Sequence, residues 1–299
     1  QGKKIGIFEH SSAGRDIYQG LFEALGAEVM ALEPTDTFVP IDTEAVGEAD
    51  RQKALAWSAQ YGFDMIYSTD GDGDRPLLSD ENGVWLRGDI VGLLTAQALH
   101  IESLAVPVSC NTAIESSGHF AHVTRTKIGS PYVIDAFASL STDYASVAGF
   151  EANGGFLLGT DVVLNDTTIH ALPTRDALLP AIMLLSLSID QQCGISSLVA
   201  NLPQRFTHSD RITQFPTEQS QALLTQLSND PSELLPAMGC SSAMQSNNTI
   251  DGLRMVLQNQ DIVHLRPSGN APELRCYAES NTSQQAQLLV TRALAAVQQ

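Results

Sequence analysis

Phe63-Asp64-Met65-Ile66-Tyr67-Ser68-Thr69-Asp70-Gly71-Asp72-Gly73-Asp74-Arg75 passes from an apolar run into three carboxylates that alternate with two glycines. The apolar part reads as a buried strand over Asp64–Ser68. The acidic part reads as a site for a hard divalent cation, Mg²⁺ or Ca²⁺. Carboxylate oxygens suit such ions, and the glycines let a short backbone curl until alternate side chains converge. An EF-hand loop also begins with acids at its first, third and fifth positions, and Glu81 falls at its twelfth. Here Arg75 stands where that loop needs glycine, Pro76 comes next, and a strand rather than a helix leads in, so the EF-hand is set aside. A solvated acidic turn with no metal is the remaining alternative.

Toward the N-terminus the pattern alternates. Ile5-Gly6-Ile7-Phe8 reads as a strand, Arg15–Leu25 as a helix with Ile17, Leu21 and Leu25 on its apolar face, and Gly26 as its C-cap. Ala27–Leu32 is the next strand and Glu44–Gln60 the next helix. This order predicts a parallel sheet with right-handed crossovers. It puts Asp70–Arg75 at the carboxyl end of a strand, where open α/β sheets bind ligands.

Toward the C-terminus, Leu77–Leu86 reads as a hairpin turning at Asn82-Gly83. A helix over Asp89–Leu99, strands at Ala105–Ser109, His122–Thr126 and Ala145–Phe150, and a long apolar helix over Arg175–Asp190 form a second alternating unit. Pro203 and the polar Thr207–Asp210 read as a linker. The last third offers helices at Thr217–Leu227 and Ser283–Val297 around strands at Thr249–Leu257, Asp261–Arg266 and Leu274–Ala278. The expected class is α/β, with two successive mixed-sheet α/β domains over 1–87 and 88–204 and a smaller α+β domain over 205–299.

A chain of 299 residues is long enough for two or three domains at roughly 100–200 residues each. It lacks any run of about 18 apolar residues, which argues against a membrane span, and its start enters a strand pattern without a signal-peptide pattern. Cys110, Cys193, Cys240 and Cys276 form no C-x-x-C pair, so the expectation is four reduced thiols in a cytoplasmic protein. The formal net charge of −18 disfavours nucleic acid and anionic membranes as partners. If the ligand is an anion, positive charge must be gathered locally. The seven histidines show no zinc-protease spacing, and no G-x-S-x-G elbow is present.

Arg266-Pro267-Ser268-Gly269-Asn270-Ala271-Pro272-Glu273-Leu274-Arg275 lies between two strand patterns. Two guanidiniums can grip phosphate oxygens, Ser268 and Asn270 add neutral donors, and Gly269 lets backbone N–H groups approach. The alternative is a Pro/Gly turn with solvated arginines. Gly149-Phe150-Glu151-Ala152-Asn153-Gly154-Gly155 could present Glu151 and Asn153 to neighbouring sugar hydroxyls, or be an ordinary turn. Lys127, in Thr126-Lys127-Ile128-Gly129-Ser130, could contact phosphate or move a proton, or be a solvated charge. The helix after His10-Ser11-Ser12-Ala13-Gly14 could receive an anion at its N-terminus.

Taken in order, Asp-Gly-Asp-Gly-Asp-Arg, Thr-Lys-x-Gly, Gly-x-Glu-x-Asn-Gly and Arg-Pro-Ser-Gly-Asn with a following Arg resemble the α-D-phosphohexomutase superfamily of phosphomannomutases, phosphoglucomutases and phosphoglucosamine mutases. The resemblance covers nearly the whole chain and matches the second, third and fourth of the family's four domains, of which the first three are related α/β sheets. It implies a Mg²⁺-dependent enzyme that interconverts hexose 6-phosphate and hexose 1-phosphate through a phosphoserine and a bisphosphate, with mannose phosphate the first expectation. Glucose, glucosamine and N-acetylglucosamine phosphates are alternatives, as is a non-catalytic phosphosugar-binding module. It further implies that Asp70, Asp72 and Asp74 hold Mg²⁺, that Arg75 sits beside the moving phosphoryl group, and that Lys127 does acid/base work or neutralises charge. Glu151 and Asn153 would meet sugar hydroxyls, and Arg266, Ser268, Gly269, Asn270 and Arg275 the non-reacting phosphate.

The chain departs from that pattern at Asn153 (usually Ser), Gly155 (usually His), Ser130 (often His) and Asn270 (usually Thr). Phe-Glu-Ala-Asn-Gly also resembles the phosphoacetylglucosamine mutase branch. The first domain, with a Thr-Ala-Ser-His-Asn-Pro-like loop carrying the phosphoserine, has no match here; Ser11-Ser12-Ala13-Gly14 is the small-residue turn of the second. The expected partner is therefore that missing N-terminal domain, without which the chain should not turn over.

Overall fold

The computed structural model describes residues 2–230, 234–269 and 271–298. They fall into two compact units. One comprises residues 2–110, 114–125 and 129–203; the other comprises 111–113, 126–128 and the described residues from 204 onward.

In the first unit, one sheet orders its strands Glu28–Leu32, Lys4–Phe8, Met65–Thr69 and Pro76–Leu78. The first three run parallel, joined by helices Arg15–Ala24 and Glu48–Tyr61, and the fourth is antiparallel to Met65–Thr69. Parallel register, with Ile7 opposite Tyr67, makes the His10–Gly14 turn and the Asp70–Arg75 loop leave the sheet side by side. The strand-end placement expected for the acidic loop is therefore met.

The first helix buries a different face from the one its aliphatic spacing predicts. Tyr18 and Phe22 are 3% and 1% exposed, whereas Ile17 and Leu25 are 61% and 51% exposed. Both rings meet Tyr67 edge-on, with centroids 4.9 and 5.2 Å away, and the larger aromatic surfaces win the buried side. The expected Asn82-Gly83 hairpin shrinks to a turn closed by a single Ser79–Trp85 bridge. Its first arm pairs with Met65–Thr69 instead, and Asp80 Oδ1 stabilises the turn by accepting the N–H groups of Asn82 and Val84.

The second sheet orders Leu172–Asp176, Phe156–Leu158, Val147–Phe150, Ser103–Pro107 and His122–Thr126. Ser103–Pro107 and Val147–Phe150 are parallel, while the 147–150, 156–158 and 172–176 strands are antiparallel neighbours. Helix Ser130–Asp143 packs Val133, Phe137 and Leu140 on one face. The predicted Arg175–Asp190 helix starts later, at Leu178. Arg175 and Asp176 end a strand, and Asp176 Oδ1 caps the helix by accepting the N–H groups of Leu178 and Leu179 at 2.8 and 3.0 Å. Polar composition hides this strand from any reading based on apolar alternation, and the ribbon Val162–Leu164/Thr167–Ile169, three residues a side, is too short to show a period.

The second unit is an antiparallel sheet ordered Phe206–Thr213, Glu273–Ser280, Ile262–Pro267, Leu253–Leu257 and Met244–Asn248. Leu253, Met255, Val263, Leu265, Leu274 and Cys276 form its buried face, against helices Thr217–Asn229 and Ser283–Ala296. The supposed linker Thr207–Asp210 lies inside the edge strand and pairs residue for residue with Tyr277–Glu279 and Cys276. Backbone pairing holds it where its polar side chains give no strand signal. The supposed strand Thr249–Leu257 begins only at Leu253: residues 249–252 form a turn at Asp251-Gly252, and the strand that pairs across it, Met244–Asn248, lies before the supposed range. No helix among the described residues is long and apolar enough to cross a membrane. All four cysteines are unpaired, with Cys110 and Cys276 buried.

Candidate active site

The acidic loop closes on itself. Asp70 N–H donates to the Arg75 carbonyl at 3.1 Å, Arg75 N–H to Asp70 Oδ1 at 3.2 Å, and Gly73, at φ 81°, turns the chain where a side chain would be strained. Ligand oxygens of Asp70, Asp72 and Asp74 lie within 4.8 Å of one another. Asp70 is buried, Asp74 half-buried and Asp72 exposed. The loop is buttressed by the turn after the neighbouring strand: Ser12 Oγ lies 2.7 Å from Thr69 Oγ1, and Ala13 N–H donates to the Gly71 carbonyl at 3.0 Å. Ala13 and Gly14 N–H groups are thus spent inside the protein, which leaves fewer donors for an anion at that helix start.

Crowding shows in the electrostatics. Burial, then the Asp72 carboxyl hydrogen-bonded beside it, push the Asp70 pKa up to about 6, against the Arg75 N–H, which lowers it. Arg75 Nε stays 3.6 Å from both Asp70 Oδ2 and Asp74 Oδ1, and Asp74 Oδ1 is buried with no hydrogen-bond partner. Three converging carboxylates, one with an unsatisfied buried oxygen and one held up in pKa, fit a hard divalent cation.

The Glu151–Gly155 loop lies next to this cluster. Glu151 is 4% exposed; its N–H donates to the Gly155 carbonyl, and its own carbonyl accepts the Gly154 N–H. Asn153 Oδ1 accepts the Gly155 N–H at 3.0 Å, and the Asn153 carbonyl accepts the Thr43 hydroxyl at 2.7 Å. The two loops are joined by Arg175, a residue that the sequence pattern assigns to a helix start. Its Nε donates to Glu151 Oε2 at 2.8 Å and its Nη1 to Asp74 Oδ2 at 3.1 Å. Burial opposes its charge, but Glu151 and then Asp74 outweigh that and raise its pKa. The Pro173-Thr174-Arg175-Asp176 stretch, with its proline and helix-capping Asp, was the available signal that the helix begins later.

In the second unit the register collects arginines. Arg266 is paired across the strands with Arg275, and Arg275 with Arg211, so three guanidiniums share one face of the sheet. Like charges directly opposite are unfavourable. Glu273 offsets part of this, 3.4 Å from both Arg211 Nε and Arg275 Nη2, and Asp251 Oδ1 lies 3.5 Å from Arg266 Nε. The Nε atoms of Arg266 and Arg275 are buried without a hydrogen-bond partner. Ser268 is buried, its N–H donating to the Glu273 carbonyl at 2.9 Å, and Gly269 is exposed with open space around it. Arg266, Ser268, Gly269, Asp251, Thr217 and Gln221 line a cavity of about 620 Å³. This surplus of donors suits an anion. Asn270 lies outside the described residues.

Lys127 is exposed, and the following Ile128 N–H donates to Asp251 Oδ2 at 2.9 Å, which ties the lysine segment to the turn that also holds Arg266. His264, beneath that turn, lies Nε2 to carbonyl 2.6 Å from Asp251, and burial pushes its pKa down to about 4. The structure thus gathers Asp70, Asp72, Asp74, Arg75, Glu151 and Asn153 in one unit and Lys127, Arg266, Ser268, Gly269 and Arg275 in the other. Arg175, Asp251 and Arg211 are the contributors that the sequence reading did not single out.

Comparison with known proteins assigns the chain to a family. Residues 87–206 match the phosphoglucomutase/phosphomannomutase alpha/beta/alpha domain III and residues 214–296 match the C-terminal domain of the same family. The chain is 55% identical over 287 residues to a phosphomannomutase of Salmonella muenchen, covering 96% of this chain and 60% of that protein. It is 38% identical over 296 residues to a phosphomannomutase of Sinorhizobium fredii, covering 99% of this chain and 62% of that one. Among solved structures, a phosphoglucomutase/phosphomannomutase family protein from Burkholderia thailandensis superposes with a TM-score of 0.75 at 19% identity, over 100% of this chain and 61% of that one, which is a likeness of fold. The chain belongs to the α-D-phosphohexomutase superfamily. It spans about 60% of the length of the curated relatives it matches.

Proposed function

We propose that this chain is the metal-, sugar- and phosphate-binding portion of a Mg²⁺-dependent phosphohexose mutase whose substrate is mannose phosphate. The observation that carries the proposal is the convergence of the three loop carboxylates beside a buried Glu151, in a chain 55% identical to a phosphomannomutase. We divide it into parts 1–87, 88–204 and 205–299, a division supported by its three large sheets. The phosphoserine would come from a further N-terminal domain of the whole protein, in keeping with the fraction of its relatives that the chain spans. Unpaired cysteines suit a reducing, cytoplasmic setting.

In this reading Asp70, Asp72 and Asp74 hold the metal, and Mg²⁺ when bound neutralises charge on the phosphoryl group in transit. Arg75 donates to the oxygens of that group. Glu151 accepts a sugar hydroxyl, and Asn153 uses its amide toward a neighbouring one. Lys127 gives or takes the proton at the reacting sugar oxygen, or balances its charge. Arg266 and Arg275 grip the non-reacting phosphate with Ser268, Gly269 and Asn270. Such a loop can hold either phosphate of a bisphosphate, so the sugar can turn over between two transfers.

The test is a competition assay on the intact protein with mannose, glucose, glucosamine and N-acetylglucosamine phosphates. Preference for mannose phosphate is expected; failure of all four to be interconverted rejects the mutase reading. The purified 299-residue chain should bind Mg²⁺ yet not convert mannose 6-phosphate to mannose 1-phosphate.

A further inference from the structure

We propose that Arg175 is a positioning residue that couples the metal loop to the sugar loop, and that Gly155 is glycine because the Arg175 side chain occupies the space any larger residue there would need. The inference rests on the metal reading of the acidic loop and goes beyond it. Arg175 stands at the end of strand Leu172–Asp176, with a guanidinium divided between two acids from different loops, Glu151 at 2.8 Å and Asp74 at 3.1 Å. Glu151 is almost fully buried and Arg175 is the cation paired with it. A Cβ built on Gly155 would lie 2.8 Å from Arg175 Cδ, 3.0 Å from Cγ and 3.1 Å from Nε, closer than side-chain carbons tolerate. These atoms are the middle of the side chain, anchored at its far end by two carboxylates, so they cannot swing aside without breaking the bridge.

The consequence is electrostatic. While the acidic loop lacks a cation, Arg175 supplies part of the positive charge that Asp74 needs. A divalent cation on Asp70, Asp72 and Asp74 takes over that role, since it carries twice the charge and sits closer to the oxygens. The guanidinium is then free to commit to Glu151, which fixes the carboxylate and the backbone turn behind it. By reciprocity, whatever firms the Glu151 loop also favours the metal.

Hydrogen exchange tests this with Mg²⁺ alone. In the unaltered chain, saturating Mg²⁺ should raise protection of the Gly154 and Gly155 amides, which donate to the Glu151 carbonyl and Asn153 Oδ1, by about threefold or more. In Arg175→Met, calorimetry should show Mg²⁺ binding retained and tightened by about three- to tenfold through loss of a nearby positive charge, while the protection change disappears. Arg175→Lys should return the affinity without returning the protection change, because an ammonium cannot bridge two acids as the planar fork does. The packing half is tested by a cycle: Gly155→Ala should lower the melting temperature of the parent by about 3 °C but leave Arg175→Ala no less stable. An undiminished Mg²⁺ effect in Arg175→Met, or no Mg²⁺ effect in a parent that binds the ion, overturns the coupling. Equal penalties for Gly155→Ala in both backgrounds overturn the packing. A parent chain that binds no Mg²⁺ rejects the metal reading itself, and the coupling with it.

Discussion

The acidic loop and the arginine-bearing sheet face solve opposite electrostatic problems in different ways. Asp70–Arg75 concentrates negative charge within six consecutive residues, so a local turn suffices to assemble it. The Arg211–Arg275–Arg266 row concentrates positive charge from three strands, and only antiparallel register brings the guanidiniums abreast. Each stores unfavourable repulsion that a ligand of opposite sign would relieve. In one region burial, with the neighbouring acids behind it, holds a carboxyl up to about 6; in the other two buried guanidinium nitrogens lack partners. In a protein of net charge −18, a row of cations gathered this tightly by register is what holding a phosphate would require.

If the two regions are independent ligand sites, one substitution in each should separate them. Asp72→Asn neutralises an exposed carboxylate at the mouth of the acidic loop, and should weaken Mg²⁺ binding about 100-fold, since affinity follows ligand charge. Hexose phosphate affinity should hardly change. Arg266→Ala should do the reverse, costing about 10- to 100-fold in hexose phosphate binding, the worth of one or two charge-assisted hydrogen bonds. Calorimetry with each ligand on each variant reads both; parallel losses would show that the two regions do not act as separate sites.

Acidity should sharpen the contrast, because the two regions respond with opposite signs. Asp70 has a raised pKa in the folded protein, so its contribution to stability is complete below its ordinary value near 4 and is lost as pH rises through about 6. The metal-free first unit should therefore weaken toward neutral pH, and Mg²⁺ should restore more stability at pH 7.5 than at pH 5. His264 has a lowered pKa, so its contribution is present above about 6.5 and lost as pH falls toward 4, on the order of 3 kcal/mol. Both tryptophans, Trp57 and Trp85, lie in the first unit, so their fluorescence reports its melting, while hydrogen exchange follows the second. Identical pH profiles for the two units would remove this distinction. The smallest effect expected is that of Arg211→Ala, about two- to threefold in hexose phosphate affinity, since this exposed arginine adds field more than contact.

The contrast also explains which residues the sequence reveals. Every residue of the acidic loop was visible, because side chains at alternate positions of one turn are neighbours in sequence and in space alike. Arg266, Ser268 and Arg275 were visible through their Pro/Gly-flanked run, yet Arg211 was lost beside a segment that reads as a linker, since edge-strand polarity resembles a loop's. Arg175 falls to a helix when the apolar periodicity beginning at Leu178 is extended past a capping aspartate. The first helix turns a different face inward because spacing alone does not weigh Tyr18 and Phe22 against Ile17 and Leu25; Tyr67, on another strand, does.

By itself the sequence determined the alternating α/β order, the position of the acidic loop at a strand end, its suitability for hard cations, and the series of motifs that mark the superfamily. Those are properties of short stretches, where covalent proximity limits what residues can meet. Tertiary structure decided that Glu151 shares a guanidinium with Asp74, that Gly155 must yield its space to Arg175, and that Arg211 stands beside Arg275. The Arg175 bridge alone joins residues 24 and 101 positions apart, and sheet register and packing, not spacing along the chain, choose which side chains meet over such distances.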